Sequence, residues 1–398
     1  MPSTAELIAI VLITLSAAGA IYWAVVLYRV ARALPNVPKV EEGSRAATAN
    51  GLVSVVIPAH NEARTIEASV RGLRGQRGVE LEAIYVLDRC TDDTRDRLVA
   101  AAEGDPRIRF IEKGSCPDDW AGKCHAAALG ALSAKGRWLL FTDADCRFGP
   151  DLVRSMVAIA EERDAALCSS LGRLTYGRGF ERRLQPVASM VLMRIFPLDK
   201  ANRPERTWPF ANGQFLLFRR EDYERLGGHE AVRDDLLEDL AFAKRFHRAG
   251  LRTAVVDAAA MLEVAMYDSG AGMRSGWTRI LIESCDRRPS RLRRHAVEVL
   301  ATGLGIPAAA VASVAASLAL PIGPPLSFLL PFSGMLALLA MASTLGFLHR
   351  LFGAPLRGIA LHPIASWEVA GWLLDGARML ERRVPVRWGG RQYVLEPR

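Results

Sequence analysis

From Leu7 to Tyr28 the chain carries no charged residue. At 1.5 Å per residue such a helix reaches about 30 Å, the thickness of a bilayer's hydrocarbon core. Within that core only a helix satisfies the backbone of a single segment, so this stretch fixes one element before anything else is read. A cleaved secretory signal would need a basic flank upstream and a shorter apolar centre. Here the upstream flank holds Glu6, and Arg29 and Arg32 follow the run, which favours a retained anchor. Two more uncharged runs occupy residues 299–320 and 326–348, separated by the turn Pro321-Ile-Gly-Pro-Pro325. They read as a second and a third span, against the alternative of a buried helical hairpin in a soluble domain. A weaker stretch, residues 358–376, contains His362, Pro363, Glu368 and Asp375. It reads as an interfacial or re-entrant helix and not as a span.

Half of the 398 residues are hydrophobic and 24% are charged, with 51 Lys and Arg against 43 Asp and Glu, a net charge of +8. The surplus of arginine flanks the apolar runs: Arg29, Arg32 and Lys39 after the first; Arg287, Arg288, Arg291, Arg293 and Arg294 before the second; Arg350 and Arg357 after the third; Arg378, Arg382, Arg383, Arg387, Arg391 and Arg398 in the tail. The positive-inside tendency puts all of these on the cytoplasmic side if there are three spans. The body between the spans is then cytoplasmic and the basic flanks face anionic headgroups. No nucleic-acid motif accompanies them, so a nucleic-acid partner is excluded. Six cysteines without a CxxC pair suit a reduced compartment. The expected organisation is an anchor over residues 1–34, a body over 50–285, a basic flank and transmembrane hairpin over 286–353, and an interfacial segment with a basic tail over 354–398. Residues 35–50 read as a linker.

The body alternates strands and helices. Strands are expected at 53–57, 81–87, 108–111 and 138–142, with helices at 65–73, 93–102 and 121–134 between them. Such β-α-β-α alternation implies parallel strands covered by helices, with ligands beyond the strands' carboxyl ends. Those ends carry Glu62, Asp88, and Asp143 with Asp145. Neither GxGxxG nor GxxxxGK[ST] is present, which disfavours a dinucleotide-binding or P-loop protein. In an Asp-x-Asp pair, one carboxylate can bind Mg²⁺ or Mn²⁺ and the other can hold a metal-bound water or a ribose hydroxyl, with the metal bridging two phosphates.

The segments VSVVIPAHNE (53–62), VLDRCTDDT around Asp88, WAGKCHA (120–126), FTDAD (141–145), NGQFLLFRR (212–220) and LLEDLAFA around Glu238 and Asp239 stand in the order seen in family 2 glycosyltransferases. The chain resembles that family over about residues 50–285. The membrane runs and the closing VRWGGRQY (386–393) make it similar to hopanoid-biosynthesis-associated members and to related carotenoid and ceramide glycosyltransferases. The resemblance implies an α/β catalytic domain of the GT-A fold, with a mostly parallel sheet and a Rossmann-like nucleotide half, held by N-terminal and C-terminal transmembrane helices.

It also implies roles. Pro58, Ala59 and Glu62 would hold the nucleoside, although Glu62 could simply cap the next helix. Asp88 would bond the base. Arg89 and Cys90 replace the family's common Gly-Ser there, leaving UDP and GDP both open with a UDP-sugar favoured. Gly122 and Lys123 would meet the diphosphate, together with Asp143; Asp143 and Asp145 would hold Mg²⁺ or Mn²⁺. Asn212, Gly213 and Gln214 would line the acceptor side, as would Arg274 and Trp277, which stand where processive members carry Gln-x-x-Arg-Trp. Asp239, beside Glu238, would be the catalytic base. His229 reads as a packed histidine. The implied reaction is an inverting, metal-dependent transfer of one sugar from a nucleoside-diphosphate sugar to a membrane lipid of the hopanoid, carotenoid, sphingolipid or polyprenol type, at a bacterial inner membrane. Alternatives are a processive polysaccharide synthase and a non-catalytic nucleotide-binding membrane scaffold. The tail around Arg387, Trp388 and Arg391 is a candidate to fold back over the diphosphate.

Overall fold

A computed structural model describes residues 2–202 and 208–398. Its main sheet has seven strands in the order β3-β2-β1-β4-β8-β6-β9. They are β1 (Val53–Ala59), β2 (Leu81–Asp88), β3 (Ile108–Lys113), β4 (Trp138–Phe141), β6 (Leu167–Leu171), β8 (Leu216–Arg219) and β9 (Thr253–Asp257). β1 to β4 pair in parallel, whereas β8 runs antiparallel to both neighbours, β4 and β6. The fold is GT-A. The strands and helices expected in residues 53–142 form within two residues of their anticipated ends.

β1 is apolar on both faces because helices cover both. Val55 and Ile57 pack with Tyr85, Leu140 and the inner faces of helices Ile66–Arg74 and Leu152–Glu162. Val56 points the other way, into Ile84, Phe141, Phe218, and Phe242 of helix Glu238–Arg248. On that second face Gly130, in helix Gly122–Ser133, sits so close to β1 that an added Cβ would lie 2.3 Å from Val56 Cγ1. Gly130→Ala is therefore expected to lower stability by about 1–3 kcal/mol through overpacking, read as a reduced melting temperature.

A smaller sheet joins β5 (Cys146–Phe148), β10 (Leu262–Val264) and β7 (Arg173–Leu174). A third pairs β11 (Val386–Trp388) with β12 (Arg391–Tyr393) as an antiparallel hairpin. Gly389 and Gly390 form its turn with φ of 54° and 71°, the left-handed pair that two-residue hairpin turns require.

Among the described residues, three helical stretches, Thr4–Asn36, Pro289–Ala319 and Leu326–Phe352, are long and apolar enough to cross a membrane. Small residues set their packing: Ala20, Ala310 and Ala337 share a buried seam, Ser16 Oγ lies 2.9 Å from Ser313 Oγ, and Thr344 Oγ1 donates to the Trp23 carbonyl at 3.0 Å. Leu7, Val11, Leu318 and Phe332 remain exposed on the outer surface, as lipid-facing side chains would be.

Residues 358–376 fall mostly within helix His362–Glu381, which is not among the three. Val369, Leu373 and Leu380 bury against Trp277, Leu281, Leu292 and Ala296, so this helix ties the body to the base of the second membrane helix. The expected linker is packed as well. Val40 is fully buried, and Lys39 bridges β9 at Asp257.

Candidate active site

The carboxyl edge of the sheet gathers the acidic strand ends. Asp88, last in β2, is buried, and both of its oxygens are engaged. Oδ1 accepts from Lys113 Nζ at 2.8 Å and from Arg89 Nε at 2.9 Å, and Oδ2 accepts from Arg89 Nη2 at 2.7 Å. Burial opposes its ionisation, but these two cations outweigh that and hold its carboxyl below the ordinary value. Arg89 reaches back to its own neighbour because its φ is 50°. The carbonyl of Asp88 meets His60 Nδ1 at 2.6 Å. Glu62 closes the turn before helix Ile66–Arg74: its carbonyl accepts from the Thr65 and Ile66 N–H groups, and Oε2 accepts from Thr65 Oγ1 at 2.6 Å. Its carboxylate also feels Asp143, and burial raises its pKa. Pro58 and Ala59 end β1 beside these groups.

Gly122 opens helix Gly122–Ser133. A Cβ there would lie 2.9 Å from Arg89 Nη2 and 3.1 Å from Asp88 Oδ2, so a larger residue would press on the Arg89–Asp88 pair. The next residue, Lys123, stands between two acids: Nζ is 2.6 Å from Asp143 Oδ1 and 2.6 Å from Glu238 Oε1. Burial works against its ammonium, yet the two carboxylates hold its pKa well above the usual lysine value. Reciprocally, burial penalises the Glu238 carboxylate, and Lys123 overcomes that penalty and lowers it. Asp145 has no such cation in contact. Burial, then the nearby Asp143 and Glu62, push it up to about 8.

Asp239 follows Glu238 at the start of helix Glu238–Arg248. Its Oδ2 accepts from the Gly213 N–H at 2.7 Å and its Oδ1 from the Leu240 N–H at 2.7 Å. Burial and the charge of Glu238 raise its carboxyl to about 7. Asn212 holds the other side of this loop: its Oδ1 accepts from Gln214 N at 3.2 Å, and its N–H donates to Ser169 Oγ at 2.8 Å. A cavity of about 230 Å³ opens at this point, lined by Asn212, Gln214, Asp239 and Trp277 and extending to Leu34, Leu351 and Phe352. Those last three lie at the body-side ends of the first and third membrane helices.

Arg274 takes a different place from the one expected. It is exposed and ion-paired with Asp375 on helix His362–Glu381, and it is not among the residues lining the cavity beside Asp239. It lies in the first turns of helix Gly270–Ser284, while Trp277, three residues on, is buried. His229 is packed, as its sequence context suggests. It is hydrogen-bonded to Tyr223 at 2.8 Å, flanked by Phe141 and Phe242, and driven down to about 3 by burial.

The hairpin β11–β12 packs beside Gly122 and Arg89. Tyr393 Oη accepts from the Gly122 N–H at 3.3 Å, and Arg89 Nη2 donates to the Gly389 carbonyl at 3.2 Å. Arg391 donates to the carbonyls of Pro117 and Trp120 and pairs with Asp118 at 3.0 Å. Arg279 stacks on Trp388 with its guanidinium carbon 4.5 Å from the ring.

Residues 54–227 match Glycosyl transferase family 2. That segment is a family 2 glycosyltransferase domain. Over 231 residues it is 23% identical to the 4,4'-diaponeurosporenoate glycosyltransferase of Staphylococcus aureus strains RF122 / ET3-1 and USA300, covering 58% of this chain. The match spans 60% of the length of those relatives. Among solved structures, mannosyltransferase PcManGT from Pyrobaculum calidifontis, in complex with GDP-Man and Mn²⁺, aligns with a TM-score of 0.51 and 21% identity. The alignment covers 94% of this chain and 98% of that one, and it supports the fold.

Within the glycosyltransferase domain and its flanks, the predicted acids and glycines do converge. Glu62, Asp143, Asp145, Lys123, Glu238, Asp239 and Gly213 form one connected electrostatic group. Asp88 and Gly122 form a second, joined by Arg89. Sequence reasoning missed Lys113, His60 and Tyr393. His60 lay in the flagged segment VSVVIPAHNE and Tyr393 in the VRWGGRQY tail, whereas Lys113 lay in none.

Proposed function

We propose that this chain is an inverting, metal-dependent glycosyltransferase that moves one sugar from a nucleoside-diphosphate sugar to the hydroxyl of a membrane lipid. The observation that carries the reading is Asp239. It is a half-buried carboxylate held by two backbone N–H groups, placed between the Lys123–Asp143 cluster and an apolar cavity that ends at two membrane helices. A lipid alcohol could present its head there without withdrawing its apolar body fully from the bilayer, an exit that costs about 0.8 kcal/mol per CH₂.

In the reaction, the acceptor oxygen attacks the anomeric carbon while the carbon–oxygen bond to the diphosphate breaks. The bonding pair leaves with the nucleoside diphosphate, and the hydroxyl proton passes to Asp239. Gly213 N–H and Leu240 N–H orient this carboxylate. Lys123 supplies a cation for the diphosphate, and Glu238 holds Lys123 in place.

Carboxylate oxygens suit a hard divalent ion, and the raised Asp145 beside Asp143 and Glu62 is a cluster short of positive charge. Among the described residues no group of three or more His, Cys, Asp or Glu is close enough to hold an ion alone. That fits Mg²⁺ or Mn²⁺, which commonly take one or two carboxylates and complete their shells with substrate phosphates and water. Asp145 and Asp143 would hold it, and when bound it neutralises charge on the departing diphosphate.

Asp88, with Arg89 and Lys113, faces the base pocket, and the hairpin β11–β12 covers the diphosphate side. The donor half is tested by thermal shift with UDP- and GDP-sugars, each with and without Mn²⁺. A metal-dependent rise with one of the two series supports the reading; no rise with any donor overturns it. The hairpin adds a prediction. Tyr393→Ala with Arg391→Ala is expected to weaken nucleoside diphosphate binding about tenfold by calorimetry, and unchanged affinity would mean the hairpin only rests there.

We place the catalytic domain on the cytoplasmic side of a bacterial inner membrane, held by three spans. Absence of the complete Gln-x-x-Arg-Trp signature, together with the outward ion pair of Arg274, favours single-sugar transfer over processive synthesis.

A further inference from the structure

The cavity beside Asp239 does not end blindly. A second cavity of about 150 Å³ shares Leu34, Val37 and Met193 with it as a common wall. This second space is lined by Tyr22, Val26 and Arg29 on the first membrane helix and by Met190 on helix Gly179–Ile195. It therefore lies alongside a helix whose outer face carries exposed Ile21, Val25 and Tyr28. Together the two cavities run from the first membrane helix to the site carboxylate.

The inner end has a different character. Gln214 and Trp277 both line the first cavity and are 94% and 98% buried. Among the described residues, Gln214 Oε1 and Trp277 Nε1 have no hydrogen-bond partner. A buried polar atom left unpaired costs about 1–3 kcal/mol, so such atoms mark a missing ligand group. One of them accepts and one donates. An oxygen-bearing ligand head satisfies both kinds: Trp277 donates to its lone pair, and Gln214 accepts from a hydroxyl.

We infer that the two cavities form one acceptor channel, entered sideways from the bilayer between the first membrane helix and helix Gly179–Ile195. Its occupant is a long-chain lipid alcohol, with its apolar body threaded past Val37 and Met193 and its hydroxyl at Asp239. Val37 and Met193 are the constriction that sets how wide that body can be. This deepens the proposed function and rests on Asp239 as the base, but the route itself can be tested without any transfer.

The test uses the full chain in detergent micelles with a diazirine-bearing hexadecanol as photoprobe, mapped by peptide mass spectrometry. The channel predicts labels on peptides containing Val37, Met193 and Phe196, displaced by excess hexadecanol. Met193→Trp and Val37→Trp should cut labelling of the Phe210–Gln214 stretch at least tenfold with the melting temperature retained, while Met193→Ala should keep it. Should either Trp variant fail to fold, displacement in the wild type and the Met193→Ala result decide. Labels confined to outward residues such as Leu7 and Val11, or labelling near Gln214 that the Trp variants leave intact, would overturn the channel. A labelled channel without sugar transfer from any donor would sink the catalytic reading alone; transfer without channel labelling would sink the route alone.

Discussion

Asp239→Asn is expected to lower sugar transfer by about 10²–10⁴-fold while leaving donor-induced thermal stabilisation in place. Asparagine keeps the size of the side chain and one oxygen for the Gly213 or Leu240 N–H, so the loop at Gly213 should stay assembled. It loses the capacity to take a proton from the acceptor. The pH profile carries the same information. Burial first, and the adjacent Glu238 charge second, hold the Asp239 carboxyl at about 7. Only the ionised form is a base, so wild-type transfer should rise with pH up to about 7, tenfold per unit on the acid limb, and level off above it. The residual activity of the Asn variant should lack that limb. Full activity in Asp239→Asn would remove Asp239 from the mechanism.

The second large effect is at Asp145. Asp145→Asn is expected to abolish metal-dependent donor binding and, in the absence of donor, to raise the melting temperature near neutral pH. Burial and the neighbouring Asp143 and Glu62 push its carboxyl up to about 8 in the folded chain, against an unfolded value near 3.8. The native state thus binds this proton more tightly than the unfolded state does. The stability tied to this proton is complete below the unfolded value and is lost as pH rises towards 8. Asparagine removes that loss. Each kcal/mol recovered is worth about 2–4 °C in a domain of this size. The gain should grow from pH 5 to pH 8 in calorimetric scans of the metal-free protein. A melting temperature that falls instead would mean the carboxylate is structural and not held ready for a cation.

Much of this site was visible in the sequence because acids at the ends of fully apolar strands have few structural reasons to be there. Glu62, Asp88, Asp143 and Asp145 all fall at or just beyond the ends of β1, β2 and β4. Strand direction was not visible. The run that becomes β8 is as apolar as the parallel strands of the sheet, and its antiparallel insertion between β4 and β6 is decided by the path of the chain between residues 171 and 216. Partner choice was also hidden. Lys113 is one more charge on a half-polar strand until β3 pairs with β2 and places it against Asp88. Arg89 looked like a departure from pattern at the base-binding acid, and its left-handed backbone turns it into that acid's own counter-ion. The family resemblance put Arg274 on the acceptor side with Trp277, but the two sit on the same helix with opposite fates, Trp277 in the cavity wall and Arg274 paired to Asp375. Residues 358–376 read as interfacial because His362, Pro363, Glu368 and Asp375 interrupt the apolar run; the partners of that helix, Trp277 and Leu292, show that it braces the body.

The central claim is transfer of one sugar to a membrane lipid at Asp239. Membranes containing the wild-type chain or Asp239→Asn, incubated with Mn²⁺ and radiolabelled UDP- or GDP-sugars and then extracted with organic solvent, test it most directly. The account predicts a labelled lipid carrying one sugar per molecule in wild-type membranes, lost on chelation and reduced at least a hundredfold in the variant. Label in a polymer, or equal lipid label in both membranes, would contradict it.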